Sequence, residues 1–256
     1  SEHIGRPGAL SLTVFDEHWR LTPQAAEAIP TVGNGGVVLF DDGGAQRMRV
    51  TWRLRDHLFW ADGQPGTADD FVFTWRLYQD PAIEIVDRTM AERVLDMQAT
   101  DARTLVVTWR EPYANYAVFR NHEVLPRHLV EPELARLGGN LKESRYGVTP
   151  TLGGAFTIKE WVPGSHVAAV RNPYAQPAPI LDEIVWRIIP ETNTLEANLL
   201  AGSIDAISVV GLTFDQAQAI AARNDPRFEV VFTRALHWEH IDVNLDNPLL
   251  KDRRVR

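Results

Sequence analysis

The most constraining feature of this sequence is the stretch RMRVTWRLRDHLFWADGQPGTADDFVFTWRLY, residues 47–78. It opens with strict alternation, in which the apolar positions are Met48, Val50, Trp52 and Leu54. Successive side chains of a strand point to opposite faces of a sheet, and polar residues fill the positions in between. The pattern therefore predicts a strand that buries one face and exposes the other.

A helix is predicted directly after this strand. Asp62-Gly63 and Pro65-Gly66 are turn dipeptides, and Thr67 with Asp70 three residues later is the pattern of a capping box. Apolar residues then follow at helical spacing as far as residue 78. Asp80-Pro81 predicts the end of the helix, because the residue before a proline avoids the helical conformation.

The same stretch resembles the signature of the family 5 extracellular solute-binding proteins. In this family Leu-Arg is followed by a short linker, an aromatic residue, Asp-Gly-x-Pro, and then Thr-Ala-x-Asp before Val or Phe. Nearly every part of that pattern stands in LRDHLFWADGQPGTADDFVFTW. Members of the family are receptors for oligopeptides, dipeptides, nickel chelates and some sugars, and they feed ABC importers.

Later segments extend the resemblance. Pro126 and His128 stand at matching places of a family turn, LDEIVWRIIP (residues 181–190) matches almost letter for letter, and Asp252–Arg256 matches Asp-x-Arg-Val-Arg. Two segments depart from the family pattern. Residues 150–156 lack its first glycine and its proline, and Arg171-Asn-Pro-Tyr174 lacks one spacer residue.

The resemblance implies an α/β (mixed α+β) fold of the periplasmic-binding-protein type II class, present in part. The chain is similar to about the N-terminal half of such a receptor. We expect an accessory domain with the edge of the N-terminal lobe in residues 1–148. Residues 149–250 are expected to form part of the first large lobe, with a mixed sheet and helices, and residues 251–256 to start a truncated second lobe.

Local patterns predict further elements. Residues 156–161 and 166–171 form the two strands of a hairpin, and Thr213 caps a helix that runs to Arg223. A helix is predicted from Glu111, and another is predicted to be capped by Asn193. The remaining predictions are strands at residues 184–189 (largely buried), 228–233 and 238–245, and the family resemblance implies a further strand at residues 201–206.

Composition excludes several classes of protein. No apolar run reaches eighteen residues, so no segment has the pattern of a transmembrane helix. The net charge of −8 argues against nucleic acid as a partner, because phosphate binding favours a basic surface. The absence of cysteine rules out disulfides and thiolate chemistry. The first residues do not have the apolar core of a signal peptide.

No motif indicates catalysis or a cofactor. The sequence has no Gly-x-Ser-x-Gly, no phosphate-binding loop and no dinucleotide-binding glycine pattern, so we predict that the chain is not an enzyme. His237 and His240 have a spacing that would suit a metal on a helix. Their surroundings predict a strand, on which positions three apart face opposite sides. We therefore expect no metal ion.

For ligand binding, the resemblance points to a cleft between two lobes. The loop from Ile83 to Arg93 and the turn around residues 120–122 occupy places where relatives contact ligand. The candidate ligand-binding residues are Arg88, Tyr113, Tyr116 and His122. For each of them, an ordinary solvated residue is the competing interpretation. Most of the eight tryptophans are better explained by packing in the core.

The implied function is capture of a peptide or other small polar solute for an ABC-type importer, with delivery to the permease subunits. A monomer outside the cytoplasm is expected, in a family that includes lipoproteins. The alternative is a sensor or scaffold module that keeps the fold and takes no part in transport. A hydrolase with an unrecognised site is a third hypothesis. The sequence does not select the ligand.

Overall fold

The alternating stretch becomes the second strand of a four-stranded antiparallel sheet. The computed structural model describes residues 8–16, 18–83, 87–118, 123–139, 150–208, 211–232 and 242–255. The strands in chain order are β1 (Thr13–Phe15), β2 (Leu21–Pro23), β3 (Val37–Asp42), β4 (Ala45–Arg53), β5 (Val94–Asp101), β6 (Thr104–Trp109), β7 (Phe156–Val162), β8 (His166–Arg171) and β9 (Glu183–Arg187). The helices are α1 (Ala68–Gln79), α2 (Thr89–Arg93), α3 (Arg127–Arg136), α4 (Thr192–Leu200) and α5 (Phe214–Ala222).

The four-stranded sheet has the order β3-β4-β6-β5 and buries one face. Val50 pairs with Val107 and Trp52 pairs with Leu105, and all four side chains are fully buried. Residues directly opposite each other in a ladder share a face, so these pairs form part of the buried face of the sheet. Full burial of such side chains stabilises the fold by about 1.5–3 kcal/mol each.

Helix α1 covers the buried face of this sheet. It buries Phe71 and Val72 in the same core cluster as β4 and β6, while Phe73 and Leu77 pack in a second cluster with Val130 of α3. The predicted capping box is confirmed, and the helix ends at Gln79 before Asp80-Pro81. Helix α1 therefore joins the sheet to α3.

A second predicted element, the hairpin, is also confirmed. Strands β7 and β8 pair antiparallel and β9 adds a third strand, so the order is β7-β8-β9. The expectation that residues 184–189 are largely buried is wrong, because Val185 and Ile188 are exposed and Trp186 is only half-buried. Among the described strands β9 has a neighbour on one side only, which leaves its other edge uncovered.

Close backbone contact joins the beginning of the described chain to this second region. The amide of Gly154 donates to the carbonyl oxygen of Gly8 at 2.9 Å. The side chain of Asn172, which is buried, donates to the carbonyl oxygen of Gly154 at 2.9 Å. A Cβ atom at position 154 would lie 2.6 Å from the carbonyl carbon of Gly8, so only glycine fits there.

The chain divides into two compact units, residues 1–188 and 189–256. In the second unit, Thr213 forms the predicted capping box of α5. Helix α4 begins at Thr192 with Glu191 as its N-cap, so the prediction of Asn193 as the cap is wrong by two residues. The expected boundary between residues 148 and 149 lies outside the described residues.

Three strand predictions in this unit are not confirmed. Residues 201–206 form turns around Gly202, whose φ of 71° is in the left-handed region, and residues 228–232 are irregular. The third predicted strand lies partly outside the described residues, and residues 242–245 have no strand structure. A strand is stable only beside a hydrogen-bonded partner, and the described part of this unit offers none.

The helix predicted from Glu111 is wrong as well. Residues 114–117 form turns in which Tyr116 donates to the carbonyl oxygen of Tyr113 and Val118 donates to that of Asn115. Both tyrosine rings pack against the core, and this tertiary packing overrides the local preference for helix. In the described ranges, no helix has the length and apolar character needed to cross a membrane.

Candidate functional site

Arg88, the first candidate residue, is turned toward the backbone. It stands immediately before α2, and its guanidinium group donates hydrogen bonds to the carbonyl oxygens of Tyr78 and Ile83. Tyr78 belongs to the last turn of α1, where carbonyl groups lack partners within the helix. Arg88 therefore links Ile83, which follows α1, to the last turn of that helix.

The candidates Tyr113 and Tyr116 are half-buried and lie in one turn. The ring of Tyr113 lies 5.1 Å from that of Trp109, and the guanidinium of Arg93 lies 4.9 Å from the centre of the Tyr113 ring. The hydroxyl group of Tyr116 donates to the carbonyl oxygen of Pro30 at 2.6 Å. Burial raises the pKa of the Tyr116 hydroxyl.

The candidates are thus brought together only in part. Arg88 and Arg93 stand at the two ends of the short helix α2, so α2 lies between Arg88 and the turn that holds both tyrosines. His122, the fourth candidate, lies outside the described residues. The structure gives Arg88 and Tyr116 clear hydrogen-bonding roles within the fold.

An apolar pocket lies between α1 and the sheet, close to Arg88. It has a volume of about 40 Å³. Residues from α1, α2, β5, β6 and the segment before α3 line it, namely Phe71, Thr74, Trp75, Tyr78, Met90, Ala91, Val94, Met97, Leu105 and Val124. We call this set the apolar pocket. No sequence pattern predicts this pocket, because its residues come from five separate segments.

Carboxylates stand near the Tyr78 side of the apolar pocket. The pKa of the Tyr78 hydroxyl is raised by burial first, and then by the negative charges of Glu123 and Asp87. The carboxyl group of Glu123 is itself partly buried, although the residue as a whole is exposed, and this burial raises its pKa. Burial and these two carboxylates therefore both favour the protonated form of the Tyr78 hydroxyl.

The signature stretch itself mostly holds the fold together. The carboxylate of Asp70 is buried and accepts hydrogen bonds from the amides of Thr67 and Arg127 at 2.8 and 2.9 Å. His128 Nε2 lies 2.7 Å from a carboxylate oxygen of Asp62, which ties the turn of the signature to α3. These contacts give both acidic residues of the signature stretch a structural role in this chain.

In the described part of the chain, no three His, Asp or Glu side chains form a group that could hold a metal ion. His237 and His240 lie outside that part. The prediction that these histidines hold no metal therefore stays a prediction.

Comparison with known families decides the assignment. The model of the bacterial extracellular solute-binding proteins, family 5 (middle part), matches residues 45–256. The chain belongs to this family. The expectation drawn from the signature stretch is confirmed, and so is the expected fold class, because solved members of the family have the same fold.

Curated relatives support the same assignment. The chain is 29% identical over 238 residues to the probable deoxycholate-binding periplasmic protein YgiS of Escherichia coli K12, covering 84% of this chain. It is 24% identical over 254 residues to the oligopeptide-binding protein AppA of Bacillus subtilis, covering 96% of this chain. The match spans 42% of each relative's own length.

Solved structures agree with this fold. The oligopeptide-binding protein of Thermus thermophilus, complexed with a pentapeptide, superposes with a TM-score of 0.75 at 25% identity. That match covers 87% of this chain and 42% of the other. NikZ of Campylobacter jejuni, in complex with Ni(L-His), gives 0.76 at 22% identity, covering 96% and 45%. At that identity, NikZ shows a shared fold only.

Proposed function

We propose that this chain supplies one wall of a solute-binding cleft in the binding component of an ABC-type importer. The observation that carries the proposal is the family match over residues 45–256, which includes the whole signature stretch. Binding would occur by enclosure of the solute between two lobes, with energy from buried surface and hydrogen bonds. No covalent step is part of this function.

The solute class is the open part of this proposal. Relatives are named for oligopeptides and for deoxycholate, and solved neighbours hold a pentapeptide or Ni(L-His). The proposed ligand is a peptide or another small polar solute, in keeping with the oligopeptide-binding relative and with the ligands of the two solved neighbours. Arg88, Tyr113, Tyr116 and His122 are retained as candidate contacts, and Arg88 is the one beside the apolar pocket.

The proposal extends to the setting of the protein. The binding component would work outside the cytoplasm as a monomer and deliver its solute to permease subunits. Residues 1–148 would form the accessory domain with the lobe edge, and residues 149–250 part of the first large lobe. Residues 251–256 would begin the second lobe.

A thermal-shift screen of the full-length protein that contains this chain, against peptides, nickel chelates, bile acids and oligosaccharides, tests the proposal. A ligand present at one hundred times its dissociation constant stabilises the folded state by about 2.7 kcal/mol, which is readily measured. A saturable shift with one solute class supports the solute-binding function and identifies the class. No shift with any class, from protein shown by circular dichroism to be folded, would favour the sensor or scaffold alternative.

A further inference from the structure

We propose that Asp42 is a site of spontaneous backbone modification, at which an aspartyl linkage converts to an isoaspartyl linkage. The sequence has three dipeptides in which Asn or Asp precedes Gly, namely Asn34-Gly35, Asp42-Gly43 and Asp62-Gly63. In unfolded chains such pairs react readily, because glycine has no side chain to shield its amide nitrogen. The folded structure selects Asp42-Gly43 among the three. This inference does not depend on the proposed solute-binding function.

The reaction balances with water as the only other reactant. The amide nitrogen of Gly43 attacks the protonated side-chain carboxyl group of Asp42, and a new C–N bond forms. The carboxyl hydroxyl leaves with the amide hydrogen as water, which closes a succinimide ring. A second water molecule opens the ring at the main-chain carbonyl carbon. The backbone then runs through Cβ and Cγ of residue 42, an α-carboxylate is free, and nothing is oxidised or reduced.

The reacting groups of Asp42-Gly43 are accessible. Asp42 ends β3 and Ala45 begins β4, so two glycines form the whole turn between these strands. The side chain of Asp42 is 57% exposed, with Arg47 Nε at 3.3 Å. Among the described residues, the amide of Gly43 donates no hydrogen bond, and no atom outside its chain neighbours lies within 4 Å of the place of a Cβ. Neither the attacking nitrogen nor the carboxyl group is shielded.

The fold protects Asn34-Gly35, which is the more reactive pair in an unfolded chain because a carboxamide is a better electrophile than an ionised carboxylate. Asn34 Oδ1 accepts from the amides of Thr31 and Gly36 at 2.8 and 3.1 Å. Its Nδ2 donates to a backbone carbonyl oxygen at 3.1 Å. The nucleophile, the amide of Gly35, donates to the carbonyl oxygen of Val32 at 3.2 Å. Reaction at Asn34 therefore requires that several hydrogen bonds break first.

Asp62-Gly63 is protected by similar contacts. The amide of Gly63 donates to the carbonyl oxygen of Trp60 at 2.9 Å, and the carboxylate of Asp62 lies 2.7 Å from His128 Nε2. The hydroxyl of Tyr174 covers the turn, since a Cβ atom at position 63 would lie 2.8 Å from it. Asp42-Gly43 is thus the pair that the described structure leaves open.

Ageing of the full-length protein that contains this chain tests the proposal. Folded protein is incubated for several weeks at neutral pH, digested and compared with fresh protein by mass spectrometry. Backbone fragmentation identifies isoaspartate, which leaves the peptide mass unchanged, whereas deamidation of Asn34 changes the mass. Isoaspartate should form at Asp42 about tenfold or more faster than products form at Asn34 or Asp62. Reaction at either of these sites as fast as at Asp42, or none at Asp42, would overturn the proposal.

Unfolded protein and two variants separate the effect of the fold from intrinsic reactivity. In urea, Asn34 should become the fastest site, and an unchanged order would contradict the proposed protection. Thr31→Val removes the hydroxyl that accepts from the amide of Asn34 at 3.1 Å, so deamidation should rise about threefold or more. Thr51→Val, on the exposed face of β4, is the matched control and should leave all three rates unchanged. An equal effect of both variants would also count against protection.

The modification should loosen the end of the β3–β4 hairpin. It adds one methylene group to the backbone beside the pair formed by Asp42 and Ala45, and β3 lies at the edge of its sheet. Amide hydrogen exchange in this hairpin should therefore be faster in aged than in fresh protein. Aged Asp42→Glu, in which the five-membered ring cannot form, should keep the exchange of fresh protein. Equal acceleration in that variant would show that Asp42 is not the cause.

Discussion

The Oδ1 atom of Asp70 accepts a hydrogen bond from the backbone amide of Arg127 at 2.9 Å. Arg127 is the first residue of α3, and Asp70 lies in the first turn of α1, where its Oδ2 atom also accepts from the amide of Thr67. Amides at helix N-termini have no partner within their own helix and carry partial positive charge. One buried carboxylate therefore holds the starts of two helices together.

Asp70→Ala is expected to destabilise the first unit by about 2–4 kcal/mol. The substitution removes the acceptor for two amides and leaves them without this partner in a partly buried place. Asp69→Ala is the matched control, because Asp69 is the exposed neighbour, and its effect should stay within about 0.5 kcal/mol. Urea unfolding followed by circular dichroism measures both. Equal midpoints for the two variants would contradict the role of Asp70.

The second prediction concerns the hydrophobic core. Leu54 is fully buried at the end of the alternating stretch, whereas Leu39 on β3 is 52% exposed. Leu54→Ala should cost about 2–5 kcal/mol, since it removes buried methyl groups and leaves a cavity. Leu39→Ala should cost much less than this. Thermal unfolding of the two variants compares them, and a similar loss in both would mean that the core does not lie where the sheet places it.

Tyr116→Phe tests the hydroxyl bond to Pro30. The substitution keeps the ring and removes one hydrogen bond, which should lower stability by about 0.5–1.5 kcal/mol. Tyr113→Phe keeps the ring contacts with Trp109 and Arg93, and we expect a change within about 0.5 kcal/mol. Chemical denaturation of the two variants measures these changes in stability. A loss of solute affinity in either variant would add a ligand contact to the structural role.

In the second unit, the Asp225 carboxylate should titrate at unusually low pH. Hydrogen bonds from the side chain and the amide of Arg227 lower the pKa of Asp225 from 3.8 to about 2. A lowered pKa means that the folded state favours the ionised form. The contribution to stability is therefore complete above the ordinary pKa and is lost as the pH falls through about 2.

Carboxyl carbon NMR measures this titration directly. Arg227→Ala should raise the pKa of Asp225 only part of the way to 3.8, because the backbone amide at 227 still donates to the carboxylate. Arg223→Ala, whose side chain pairs with Glu196, should leave it unchanged. A pKa that stays near 2 in Arg227→Ala would show that the side-chain contact is not the cause.

Sequence patterns predicted the elements whose structure depends on interactions between residues close together in the chain. The alternation that ends at Leu54, the capping residues Thr67 and Thr213 and the hairpin at residues 156–171 all have structures set by near neighbours. The strands predicted at 201–206 and 228–233 are not found in the described residues for the opposite reason. A strand needs a partner from elsewhere in the chain, and no pattern within the segment shows whether one is present.

The candidate site was less predictable. Arg88 stands in a loop of mixed charge, and nothing in its sequence context shows that its guanidinium reaches back to the end of α1. The apolar pocket has no sequence pattern, because its walls converge from segments up to about fifty residues apart, such as Phe71 and Val124. The one sequence feature that could have indicated the pocket is the presence of Met90 and Met97, two of the three methionines of the chain, close together.

The backbone contact between Gly8 and Gly154 also sets a timescale for biosynthesis. Ribosomes add about 5–20 residues per second, so the partner of Gly8 is synthesised roughly 7–30 s after it. During that interval the neighbouring Leu10, which is buried in the finished core and lies against Gly153, lacks part of its cover. Slow translation of residues 9–154 should therefore prolong the dependence of the nascent chain on chaperones.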